Sequence, residues 1–131
     1  EAAESTEDFV QRLDRLSRLI TDYLTGEPRA ARLLFREVMD RGPFFSGVGG
    51  PVFLHVLNTA VTFVEAGTAA GEFHTNDAAD TVMSIVGIHL TYFAIHELSE
   101  QVRDEPIFTA PARDRRRMQV VEQVRRICGV S

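Results

Sequence analysis

The sixteen residues from Thr81 to His96 contain no Asp, Glu, Lys or Arg, and this run constrains the fold more than any other part of the chain. Placed at 100° per residue, Val82, Ile85, Val86, His89, Phe93 and His96 fall in one arc of a helix, and Ala79, Met83, Gly87, Leu90 and Ala94 in a second. A helix apolar on both arcs must be covered from more than one side, and a 131-residue helical domain seldom encloses one of its own helices completely. A second copy of the chain is the expected cover. The run is shorter than the roughly 20 residues that span a bilayer, and Ser84, Gly87 and Thr91 dilute it, so no membrane partner is expected.

The remaining pattern is helical throughout. Phe9, Leu13, Leu16, Ile20 and Tyr23 recur at helical spacing after a start signal running from Ser5 to Asp8, and that helix ends near Gly26. Pro28 opens a second helix carrying Ala31, Leu34, Phe35, Val38 and Met39, and Gly42-Pro43 stops it. The Gly/Pro-rich "GPFFSGVGGP" still presents Phe44 and Phe45, which are costly to leave in water and are expected to fold inward. A third helix spans about 51–70, with Phe53, Leu57, Ala60, Val61 and Val64 on one side. A fourth is expected over about 76–100 and a fifth over about 112–128, ending at Gly129. In the fifth, Met118, Val120, Val121, Val124, Ile127 and Cys128 again cover more than one stripe. The expectation is an all-α helical bundle of about five helices, whose last two long helices form a dimeric four-helix interface.

The net charge of −5 is diffuse, which disfavours a DNA-binding surface on this chain. The one dense basic run, "RDRRR" at 113–117, is expected to be a solvated face pairing with acids such as Glu97 or Glu100. The single cysteine, Cys128, admits no internal disulfide and no CxxC motif, and a cytoplasmic setting follows.

Chemistry is sparse. His89 and His96 share a face but lie about 10.5 Å apart along an unbroken helix, too far to share one zinc. No metal and no cofactor are therefore expected. No G-x-S-x-G is present, Ser46 and Ser84 lack an identifiable base, and "SGVGGP" is neither a P-loop nor a dinucleotide fingerprint, so no catalytic residues are assigned.

The segments "GEPRAARLLFREVMDRGP", "VEAGTAAGEFHTNDAADTVMSIVGIHL" and "RRRMQVVEQVRRICGV", in that order and spacing, resemble the tetracycline-repressor-like (TetR) regulators. The resemblance implies that residues 1–131 are a C-terminal ligand-binding and dimerisation domain, lacking the N-terminal helix-turn-helix through which such a protein reads operator DNA. It implies a homodimer through the last two long helices, with Ala79, Met83, Gly87, Leu90, Ala94, Met118, Val121, Val124 and Cys128 at the interface. A small lipophilic or aromatic effector is expected against Phe35, Met39, Phe44, Phe45, Phe53, Leu57, Val86 and Phe93, with His89, Tyr92 and His96 as hydrogen-bonding groups. The function expected is effector sensing for a bacterial repressor. The alternatives are a helical protein-interaction adaptor and a small helical enzyme using His89 or His96.

Overall fold

The computed structural model describes residues 7–130. All regular structure in them is helical: α1 (Phe9–Gly26), α2 (Ala30–Met39), a π-helical turn (Phe45–Gly49) running into α3 (Gly50–Ala69), α4 (Ala78–Ala94), α5 (His96–Arg103) and α6 (Ala110–Ile127). The expected all-α class holds.

The helix starts follow local chemistry. The Asp8 carboxylate accepts from the Gln11 N–H at 2.8 Å, and the Gln11 side chain accepts in return from the Asp8 N–H at 3.1 Å, a reciprocal cap for two donors with no intrahelical partner. Ser5, the other end of the expected start signal, lies outside the described residues. Asp77 and Thr109 cap α4 and α6 by single bonds, accepting from the Asp80 and Ala112 N–H groups.

Six helices replace the expected five, because the long fourth helix breaks at Ile95 and turns by 80° into α5. Two carbonyls explain the break. In a continuous helix, Tyr92 and Ala94 would accept from the N–H groups four residues on. Instead the Ser99 hydroxyl donates to the Tyr92 carbonyl at 2.8 Å, and Arg32 Nε of α2 donates to the Ala94 carbonyl at 3.1 Å. The carbonyl of Ile95 takes over the Leu98 and Ser99 N–H groups.

Helix α4 is the hub, packing against α1, α2, α3, α5 and α6. Its core divides in two. Toward its N-terminal half, Val82 joins Leu13, Val64, Phe73, Val120, Val124 and Cys128; toward its end, Phe93 and Ala94 join Leu24, Ala31 and Ile107. The side of α1 turned inward also differs from the expected stripe. Leu16 and Tyr23 are exposed, whereas Ser17 and Thr21 are buried beside Leu13 and Leu24. The cause is the partner helix: the buried Asp14 carboxylate accepts from Nε and a terminal nitrogen of Arg125 from α6, which fixes the rotation of α1 about its axis. Thr21 and Thr25 satisfy their hydroxyls on the carbonyls one turn back, Ser17 and Thr21.

The end of α6 is pinned to the loop before α4. The His74 N–H donates to the Cys128 carbonyl at 2.8 Å, and Gly129 takes the left-handed conformation at φ +71°. A Cβ there would stand 2.4 Å from the His74 carbonyl oxygen, so the stop at Gly129 is steric as well as conformational.

Candidate functional site

Helices α2 and α3 both rest on α4 but scarcely on each other. Their inner faces are packed: Leu57 and Val86 lean on the first core cluster, Phe35 on the second, and Phe53 meets Phe45 edge-to-face at 5.9 Å. Their outer faces leave apolar side chains in solvent. Met39 and Phe44 are 77% and 66% exposed, so of the expected inward-folding pair only Phe45 turns in. The Phe44 ring instead occupies the space beside Gly49 that a Cβ would fill. Leu33, Val48, Val52, Leu54 and Val56 extend the exposed apolar surface along α2, the π-helical turn and α3. The segment Phe45–Ala69 is by length and composition apolar enough to cross a membrane, but Gly47 leaves helical geometry within it (φ −95°, ψ −114°).

The expected polar groups do not converge on one enclosed cavity. His89 is 5% exposed and makes no hydrogen bond among the described residues. Burial lowers its pKa to about 4, with the Arg116 charge adding to the effect, so the imidazole is neutral near neutral pH. His96 lies beyond the Ile95 break, as the first residue of α5. Its ring meets Phe108 edge-to-face at 5.3 Å, and its Nδ1 is buried without a partner. Nε2 stands 3.6 Å from Glu97, whose carboxylate also pairs with Arg32; that hydrogen bond holds the Glu97 pKa down to about 2. Phe93 meets Tyr92 edge-to-face at 5.0 Å and Phe108 in a tilted contact at 5.9 Å.

Tyr92 faces α6. The Arg116 guanidinium lies over its ring at 4.0 Å and donates to the Ile88 carbonyl at 3.0 Å. Beside this pair is a cleft of about 260 Å³ lined by Tyr92, Arg103, Arg115, Arg116, Gln119 and Gln123. The sequence reading missed it, because its arginines come from two helices and the run at 113–117 reads as a solvated face. That run does not pair with Glu97 or Glu100: Arg115 bonds to Glu105, Arg117 lies 3.4 Å from Asp22, and Arg113 pairs with Asp114. Glu100 instead accepts from the Ile107 N–H.

The residues expected at a dimer interface separate by burial. Met83 and Met118 are 55% and 73% exposed; Ala79 is exposed, and Gly87 and Val121 are half-buried. Val124 and Cys128 are fully enclosed in the first cluster with Leu13, Val64, Phe73 and Val82, and Ala94 is nearly so in the second with Leu24, Ala31 and Ile107. Leu90 packs on the second cluster. These four serve the protomer's own core.

Among the described residues no group of three or more His, Cys, Asp or Glu is placed to hold a metal ion. No curated protein and no solved structure shows significant similarity to the chain. The family described as "Tetracyclin repressor-like, C-terminal domain" matches residues 10–124, a span running from the first turn of α1 through the buried core of α6. The chain thus belongs to the tetracyclin repressor-like family and carries its C-terminal domain.

Proposed function

We propose that this domain senses a small lipophilic or aromatic effector for a bacterial, cytoplasmic transcriptional repressor, and that it dimerises through α4 and α6. The observation that carries the sensing role is the apolar surface that α2, the π-helical turn and α3 leave in solvent beside α4. Phe35, Phe45, Phe53 and Leu57 lie on its inner side, and a buried imidazole nitrogen of His96 lacks a partner. Apolar surface with a few polar groups is the composition of a small-molecule site, and an effector drawing α2 and α3 together over α4 would cover that surface. A ligand shifts a conformational equilibrium only through unequal affinity for its two states, and apolar surface that is covered in one state alone supplies that inequality. The domain has no catalytic role in this reading, and operator contact belongs to a DNA-binding segment outside residues 1–131. Dimerisation is supported by Met83, Gly87 and Met118, which leave an apolar surface on α4 and α6.

The test is a thermal-shift screen of lipophilic acids, phenols and cationic dyes on the wild type and on His96→Phe. At least one class should raise the wild-type midpoint, since binding to the folded state stabilises it by mass action. His96→Phe should weaken polar-headed compounds more than purely apolar ones. The extent of this exposed apolar surface favours a second reading, an adaptor that accepts a partner's amphipathic helix; silence of every compound class would favour that reading instead.

A further inference from the structure

The cleft between the end of α4 and α6 is unbalanced in charge. Three arginines line it. One carboxylate, Glu105, serves two of them, accepting from Arg103 Nε at 3.0 Å and from Arg115. Arg116 has no carboxylate partner among the described residues; its terminal nitrogen donates to the Ile88 carbonyl and its plane rests on Tyr92. Burial works against its charge and Arg103 adds repulsion, yet a guanidinium stays protonated in proteins. Desolvated charge of this kind is compensated best by a hydrogen-bonded counter-ion. Gln119 and Gln123 lie one turn apart on α6 at the same cleft, and neither amide is hydrogen-bonded among the described residues. Guanidinium forks beside free amide donors match the planar oxygens of carboxylates and phosphates.

We infer that this cleft binds a doubly charged anion of metabolite size, a dicarboxylate or a phosphate, between Arg115 and Arg116, with Gln119 and Gln123 as supporting donors. The volume of about 260 Å³ is below the roughly 300–1,000 Å³ of sites for drug-sized ligands, which fits a compact anion. The site shares no lining residue with the exposed apolar surface of α2 and α3 and selects for charge rather than apolar surface.

The experiment is calorimetric and thermal-shift titration of the 131-residue chain with inorganic phosphate, succinate and acetate, at constant ionic strength made up with chloride. Saturable binding of phosphate or succinate is expected, at least about tenfold tighter than acetate because two charges face two unbalanced cations. Preference for succinate assigns carboxylate as the ligand group, and preference for phosphate assigns phosphate. Arg116→Gln should weaken binding by about tenfold or more, the loss of one charge-assisted hydrogen bond. Gln119→Glu provides a check that does not rest on Arg116 folding contacts: it places a carboxylate in the cleft, should raise the ligand-free midpoint, and should abolish anion binding. Absence of saturable binding by all three anions, acetate binding as tightly as succinate and phosphate, or binding unchanged in Gln119→Glu would overturn the assignment.

Discussion

Arg116 of α6 lies 4.0 Å over the ring of Tyr92 on α4 while donating to the carbonyl of Ile88, one turn earlier on the same helix. One side chain thereby ties two helices through both a π face and a backbone acceptor. Tyr92→Leu should destabilise the domain by about 0.5–2 kcal/mol, the range of a partly desolvated cation–π contact, whereas Tyr92→Phe should be close to neutral because the ring face is retained. Urea denaturation of the two variants beside the wild type measures the difference.

Asp14 and Arg125 join α1 to α6 in a bidentate pair. Arg125→Met strips a nearly buried carboxylate of its partner and should cost about 1–3 kcal/mol. The value stays under that of a fully buried pair because the guanidinium side chain is 44% exposed. Asp14→Leu combined with Arg125→Met should recover most of the loss, since no uncompensated charge remains. A double-mutant cycle that proved additive would contradict this coupling.

His89 makes stability depend on pH. Its folded pKa is about 4 against an ordinary 6.5, so between those values the unfolded chain binds more protons than the folded one. Stability therefore rises with pH through this window and is lost as pH falls from about 6.5 to about 4, by at most about 3 kcal/mol. His89→Leu should flatten that slope. Denaturation midpoints at pH 4.5, 5.5, 6.5 and 7.5 for both proteins supply the comparison.

Two glycines should respond oppositely. Gly129→Ala forces a side chain into a positive φ and against His74, costing about 1–3 kcal/mol. Gly87 lies within α4, and a Cβ there meets nothing within 4 Å in the protomer; Gly87→Ala should be neutral or stabilising by up to about 1 kcal/mol. Gly87→Arg should leave the protomer folded while placing a charge in the proposed interface, so light scattering should show a monomer where the wild type gives a dimer.

Cys128 is enclosed, and burial raises its thiol pKa to about 11. The native protein should react with an aromatic disulfide reagent at pH 8 far more slowly than the same protein in denaturant, because neither access nor thiolate is available. Equal rates in the two conditions would place Cys128 at an opening rather than in the core.

The all-helical class, the stops and the starts of α1 and α4 were legible in the sequence, because they depend on residues within a few positions of one another: a carboxylate before an apolar run, a Gly-Pro stop, a glycine after the last turn. The apolar walls at Phe35, Phe53, Leu57 and Phe93 were legible for the same reason, since periodicity shows which residues share a face. What periodicity leaves open is where each face points. Tertiary structure turned Ser17 and Thr21 inward in place of Leu16 and Tyr23, because Asp14 is held by an arginine far along the chain. It ended α4 at Ala94, because Arg32 and Ser99 took carbonyls that the helix would have used. It also gathered Arg103, Arg115 and Arg116 around Tyr92, an arrangement invisible along the chain because the arginines come from two different helices.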